Sequence, residues 1–272
     1  MLISRSVRRM LAAATGLVLL FMHLPLLVVL VNSFNTSRVF SWPPVGFTAT
    51  WWSRALGNEG VRAALATSLK AASAATALAL LLGTMTAFAV SRHRFFGRSV
   101  ISMVVVLPIA LPGIVTGMAL NAAFTTTLKP LGINLGLFTV ILGHTTFCVV
   151  VVFNNVMARL QRVGTSLQEA SADLGARPWT TARLVTFPLL RSALVAGAVL
   201  AFGLSFDEIV VTTFTAGPGL QTLPQWVFNN LFRPNQAPIV NAVAAALLLV
   251  SIAPIWAANR LSSDPASASG RL

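Results

Sequence analysis

Asp207 and Glu208 stand side by side in a mostly apolar run, in a chain with only 6 acidic residues among 272. An ionisable group inside a membrane segment costs about 3 kcal/mol or more and by default marks a solute or ion pathway. A carboxylate in a low-dielectric cavity attracts a cation. A carboxylate pair can also divide acid and base roles, as an intramembrane enzyme would need. That chemistry requires a nucleophile, metal or partner within hydrogen-bond reach. The sequence supplies no such companion: it has 1 cysteine, Cys148, and 3 widely separated histidines, His23, His93 and His144. Cation binding is therefore the leading chemistry, and the enzyme is the runner-up. An ion pair with Lys70 or a bond to a neighbouring helix is the structural alternative. Sixteen residues of helix from Arg191 to Asp207 would span about 24 Å, which puts the acids in the outer half of a bilayer. Adjacent helical positions diverge by about 100°, so one acid faces a path and the other a neighbour. We assign Asp207 to the path, with Glu208, Ser205 and Asn121 as further candidates. His23, His144 and Asn121 also fit helix–helix hydrogen bonds. Cys148 fits a small packing group.

A second group of polar residues lies outside the apolar runs. Ser166-Leu167-Gln168-Glu169 has capping-box spacing, in which a serine hydroxyl accepts from the N3 amide and the N3 glutamate reaches back. Leu167, Ala170 and Leu174 then share one helical face. Gly175 suits a left-handed helix stop, and Pro178 suits the first turn of a second helix. Pro188 follows near the start of the next apolar run. On these residues alone, Glu169 is a cap or a contact, and Gly175 a stop or a hinge. Capping explains a helical hairpin but not why this loop carries one.

The elements that position both groups follow from composition. The chain is 56% hydrophobic and 9% charged, with mean hydropathy +0.81. A soluble domain carries about 25% charged residues, so lipid must cover this surface. Six apolar runs have the length of a span, about 20 residues. They are 11–31, 65–90, 100–124, 137–157, 193–214 and 239–258. The first follows Arg5, Arg8 and Arg9 like a signal peptide, but its length predicts an uncleaved span. Basic residues set orientation. Arg5, Arg8, Arg9, Arg92, Arg94, Arg98, Arg159, Arg162, Arg177, Arg183, Arg191, Arg260 and Arg271 fall on one side, and Arg38, Arg54, Arg62, Lys129 and Arg233 on the other. Thirteen against five predicts that both termini and the 164–188 loop are cytoplasmic. Net charge +13 does not imply nucleic-acid binding, because the basic residues are dispersed at span ends instead of forming one face.

Pro108, Pro112 and Gly113 interrupt the third run, either as a packing kink or as a helix shaped around a path. Asn154 and Asn155, near the inner end of the fourth run, are gate candidates. Trp42, Trp51 and Trp52 in the outer segment predict an interfacial belt, with a lateral helix beside it.

Glu169-Ala170-Ser171, three residues, Gly175, nine residues, then Val185-Thr186-Phe187-Pro188 resembles the EAA loop of bacterial ABC importer permeases. The family pattern has Ala, Ile and Leu where this chain has Ser171, Val185 and Phe187. Val31-Asn32-Ser33-Phe34-Asn35, Leu107 to Gly113, His144 to Cys148 and Ser205 to Val211 resemble the spermidine/putrescine branch of that family. The resemblance covers essentially the whole chain. It implies an all-α, type I importer (MetI-like) permease fold with six transmembrane helices, in a bacterial inner membrane. Residues 1–64 would hold the first helix and outer segment, 65–258 the transporter domain and 259–272 a cytoplasmic tail. Glu169, Ala170, Ser171, Asp173, Gly175 and Pro188 would couple the chain to a cytoplasmic ATPase dimer. A second homologous permease and a periplasmic solute-binding protein would complete the importer. ATP and Mg would bind on the ATPase. The chain lacks the GxxxxGK[ST] phosphate loop, which agrees with energy arriving from a partner. The expected solute is a polyamine; 4-aminobutyrate, an opine or another small solute is the alternative. A stand-alone channel is a third option, and the EAA-like loop argues against it.

Overall fold

The computed structural model describes residues 4–233 and 236–262, with side chains only to residue 251 at that end. All twelve α-helices follow chain order: α1 Arg5–Asn32, α2 Thr50–Gly57, α3 Glu59–Arg92, α4 Arg98–Ala110, α5 Gly113–Thr127, α6 Leu137–Val163, α7 Ser166–Asp173, α8 Pro178–Thr181, α9 Phe187–Phe206, α10 Val210–Thr215, α11 Leu223–Asn230 and α12 Ala237–Ser262. Among the described residues, four helical stretches are long and apolar enough to cross a membrane, α1, α3, α6 and the continuous 178–206 segment, and the α4–α5 pair adds a broken fifth. The described apolar part of α12 is shorter, Ala237–Ser251. Of the expected tail 259–272, residues 259–262 continue α12; 263–272, Arg271 among them, lie outside the described residues, as does the side chain of Arg260.

Two of the expected spans are corrected. The third is not one kinked helix: α4 and α5 meet at 109°. Leu111 adopts an extended conformation, φ −86° and ψ 147°, the conformation that the ring of Pro112 favours for the residue before it over the α region. Pro108 lies inside α4 and Pro112 caps α5. With 13 and 15 residues, each half is about 20 Å long, too short to cross alone. The fifth span is likewise broken. Helix α9 stops at Phe206 and α10 starts at Val210, so Asp207 and Glu208 stand between helices rather than inside one. The 100° argument therefore does not apply to them.

The chain forms two compact units. In the first, whose described residues are 4–62, 226–233 and 236–253, α1 buries only its last residue, Asn32. The chain beyond it folds around Asn35. The Asn35 amide donates to Asn32 Oδ1 (2.9 Å) and Ser41 Oγ (2.9 Å), and its carbonyl oxygen accepts from the Ser37 and Val45 amides. Trp51 on α2 is buried and donates its indole N–H to the Asn35 carbonyl at 2.8 Å. Trp51 is thus a packing residue, which corrects its place in the predicted belt; Trp42 is exposed. His23 bonds the Leu19 carbonyl within α1, not another helix.

In the second unit, whose described residues are 63–225 and 254–262, α6 is the central element. Its Val152 lies between Gly83 of α3, where an added Cβ would meet Val152 at 3.0 Å, and Gly197 of α9, where it would meet the Val152 Cα at 3.4 Å. Small residues let helices approach where lipid supplies no hydrophobic drive for association. Ala75, Ala79 and Ala87 on α3, Cys148 on α6 and Ala201 on α9 are fully buried at this centre. The Cys148 thiol donates to the Ala201 carbonyl at 3.3 Å.

Gly217 shows the same principle at a backbone crossing. A Cβ there would overlap the Leu135 carbonyl and lie 3.3 Å from the Gly136 Cα. Backbone cannot rotate aside as a side chain does. Gly217→Ala is expected to cost about 1–3 kcal/mol and to lower the thermal unfolding midpoint by about 2–8 °C, read by a scanning fluorescence melt. An unchanged midpoint would refute this close crossing.

Candidate coupling segment and intramembrane polar site

Helix α7 begins one residue too early for the capping box. Thr165 is the N-cap and makes no side-chain cap bond; Ser166 is already helical. Glu169 therefore does not reach back as predicted, and its side chain is exposed. Ala170, Asp173 and Gly175 are exposed too, and Ser171 is half-buried. Gly175 has φ +76°, the left-handed stop its type predicts. Pro178 opens α8 at its first turn. Leu174 is 89% exposed and Trp179 76% exposed, with Leu167, Leu184 and Phe187 also uncovered.

This hairpin is clamped. Ser171 and Thr181 share a hydroxyl bond of 2.9 Å, joining α7 to α8. The Gln168 amide donates to Thr186 Oγ1 at 3.0 Å. Arg159 of α6 donates to the Leu189 carbonyl of α9 at 2.8 Å, and Arg92 of α3 to the Gly164 carbonyl at 2.6 Å. Helix α8 runs without a stop into α9 through one wide π-type turn, Ala182–Thr186. Pro188 sits in the first turn of α9. Proline has no N–H and its ring crowds the carbonyl four residues earlier, here that of Leu184. The widened turn gives that carbonyl room, so the helix continues through the proline.

The intramembrane site is built on α6. His144 is 0% exposed, with Nδ1 2.7 Å from Ser205 Oγ and Nε2 2.9 Å from Thr212 Oγ1. Ser205 belongs to the last turn of α9 and Thr212 to the first turn of α10. The Thr212 hydroxyl donates to the Glu208 carbonyl at 2.8 Å, and the Glu208 carboxylate accepts from the Val211 amide at 2.8 Å. Glu208, one residue before the Ile209 N-cap, thus satisfies one of the first-turn amides that α10 cannot pair itself. Lys70 is not its partner in this bond. Asp207 is exposed, one residue away. Helix α10 is held at its far end by Thr139, whose hydroxyl donates to the Thr215 carbonyl at 2.7 Å, and by Asn121, whose amide donates to the Phe214 carbonyl at 2.6 Å. Gly117 of α5 and Gly143 of α6 leave space for Phe214 and Val211.

The structure therefore separates the predicted residues. Asp207 has an uncovered carboxylate. Glu208, Ser205 and Asn121 are committed to holding α10. Asn154 is exposed on α6, and its neighbour Asn155 bonds the Val151 carbonyl in the same helix. The bracing bonds of Gln168, Thr181, Arg92 and Arg159 around the hairpin were not read from the sequence, nor was the bond of Thr212 to His144. Their partners lie 10 to 72 residues away in sequence, and no local pattern signals them. Among the described residues no cluster of His, Cys, Asp and Glu could hold a metal ion.

Residues 79–264 match the family described as binding-protein-dependent transport system inner membrane component. The chain is 34% identical to the spermidine/putrescine transport system permease protein PotC of Escherichia coli K12, covering 90% of each chain. It is 33% identical to the putrescine transport system permease protein PotI of the same strain, over 84% of this chain and 82% of that one. It is also 33% identical to a putative 2-aminoethylphosphonate transport system permease protein, PhnV of Salmonella typhi, over 88% of each. Among solved structures, a chain of a bacterial ABC transporter involved in the import of the acidic polysaccharide alginate superposes with TM-score 0.70 over 100% of both chains. At 17% identity that likeness concerns the fold.

Proposed function

The chain belongs to the binding-protein-dependent transport system inner membrane component family, and on that premise we propose that it forms half of an import path for polyamines. It is a multi-pass inner-membrane permease of the ABC importer class with an all-α, MetI-like fold, and it is not an enzyme. An importer of this class works with an ATPase and a binding protein. In this reading a second homologous permease supplies the other half of the path, and two ATPase subunits receive the α7–α8 hairpins. ATP and Mg are bound by those subunits.

The observation that carries the solute reading is the division of labour at the α9–α10 break. Glu208 spends its carboxylate on the Val211 amide, while Asp207 is uncovered beside it. A free carboxylate next to buried polar groups favours a protonated amine. Polyamines carry two or more such groups. The second reading, import of another aminated solute, is favoured by the likeness to the 2-aminoethylphosphonate permease. 4-Aminobutyrate belongs to the same chemical class.

The coupling reading rests on the clamped hairpin. Ser171–Thr181 joins the two hairpin helices, Gln168 ties α7 to Thr186 just before α9, and Arg92 of α3 holds Gly164 just ahead of α7, so a push on α7 reaches the spans as rigid-body motion. Glu169, Ala170, Asp173 and Gly175 line the uncovered side, Ser171 joins the two helices and Pro188 shapes the entry to α9. The test is reconstitution of the chain with its ATPase, second permease and binding protein in vesicles. Labelled putrescine, spermidine, 2-aminoethylphosphonate and 4-aminobutyrate are then offered separately with internal ATP. ATP-dependent uptake of the two polyamines, at least tenfold above the others, is the expected result. Preference for either of the others sinks the polyamine reading, and uptake without ATP sinks the coupling reading.

A further inference from the structure

His144 bridges the two sides of the break that presents Asp207. Its bonds to Ser205 and Thr212 bracket residues 207–209 from before and after. Proton bookkeeping then fixes the direction of every bond. The Thr212 hydroxyl has one proton, and the Glu208 carbonyl takes it, since a carbonyl only accepts. Thr212 Oγ1 must then accept from His144, which places a proton on Nε2. A neutral imidazole protonated there has a bare Nδ1, and that nitrogen accepts from the Ser205 hydroxyl. The chain runs one way: Ser205 to His144, His144 to Thr212, Thr212 to the Glu208 backbone. It ends on the residue next to Asp207, and the same residue's carboxylate holds the Val211 amide. No other side chain among the described residues bonds both α9 and α10. Glycine at position 143 brings the α6 backbone close enough for this reach, because an added Cβ would sit 3.2 Å from Val211 and 3.3 Å from Thr215.

We propose that His144 is a positioning residue for the solute path: it fixes the 207–209 break, and with it the direction in which Asp207 is presented. This rests on the reading of Asp207 as the group that meets the solute. Without the bridge, α9 and α10 lose their shared register, and the carboxylate is no longer held toward one point. The defect falls on solute passage more than on the motion driven by ATP.

The experiment uses the complete importer in vesicles and compares His144→Leu, His144→Gln, Thr212→Val and Asp207→Asn. The readout is putrescine imported per ATP hydrolysed. His144→Leu is expected to lower this ratio at least fivefold. His144→Gln, whose amide can accept from Ser205 and donate to Thr212, is expected to recover at least half of it. Recovery by glutamine separates positioning from simple filling of space. A His144→Leu ratio within twofold of the parent overturns the proposal. If that variant fails to assemble, Thr212→Val decides: a drop of threefold or more supports the bridge, and no change overturns it. A silent Asp207→Asn beside a defective His144→Leu overturns the Asp207 reading and keeps the bridge. A defective Asp207→Asn beside a silent His144→Leu does the reverse. Nitrogen-15 spectra of labelled histidine in the complex give an independent check. Protonated Nε2 with bare Nδ1 supports the bond order, and the opposite tautomer overturns it.

Discussion

Replacing Asp207 by Asn is expected to lower putrescine uptake at least tenfold in the reconstituted importer, while the complex still assembles. The magnitude follows from charge. A carboxylate and an ammonium 4 Å apart attract by about 4 kcal/mol at an effective dielectric of 20. Asp207 is exposed, so water and salt screen much of that. A third of the attraction, about 1.4 kcal/mol, still gives a factor of ten. Assembly should survive because Asp207 makes no side-chain bond that holds α9 or α10 among the described residues; those bonds belong to Ser205, Glu208 and Thr212. Glu208→Gln supplies the contrast. Its amide oxygen can still accept from the Val211 amide, so uptake should stay within threefold of the parent. If Glu208→Gln proves the more damaging of the two, the assignment of roles at the break is reversed.

The second large effect is expected at Gly175. Its φ of +76° lies in the left-handed region, where a residue with a Cβ costs about 1–2 kcal/mol. A β-branched residue is less tolerant still. Gly175→Val should therefore reset the angle between α7 and α8 and strain the Ser171–Thr181 bond that joins them. Stimulation of ATP hydrolysis by solute-loaded binding protein should fall at least fivefold. Gly175→Asn, which tolerates the left-handed conformation, should retain more than half of it. Space alone does not explain such a split, since an added Cβ at this position meets nothing within 4 Å. Equal loss in both variants would instead mean that the surface at 175 must be bare for docking, and the strain argument would fail.

How far residues announced these features depends on the range of the interaction that makes them. Span length is a local sum of hydropathy, so α1, α3 and α6 fell close to their expected bounds. The Leu111–Pro112 corner is also local, a steric rule between neighbours, although the rule did not separate a kink from a 109° turn. The α9–α10 break was missed because apolar content runs on past it to Phe214. What marks the break is Glu208 reaching forward to the Val211 amide at the start of α10 and His144 reaching across from another helix. The second of these connects residues 61 positions apart, which no window of sequence contains. The capping box failed by one residue: its spacing was right, but Ser166 folds inside the helix it was expected to cap. Gly175 was legible because a left-handed stop is a property of one residue. The clamps on the hairpin were not, because arginine and glutamine reach backbone that only the fold brings near.

The wide turn at Ala182–Thr186 acts as slack in the segment before α9. A turn of this type holds one residue more than an α-turn of the same span. Losing one of those five residues would leave a plain α-turn over that span, with Leu174 and Trp179 pointing as they do now, although the ring of Pro188 would then crowd the turn before it. A further residue would find no such slack: everything before it would rotate about α9 by about 100° and move about 1.5 Å along its axis. The aim of the hairpin is therefore buffered against shortening at this turn and open to disturbance by lengthening.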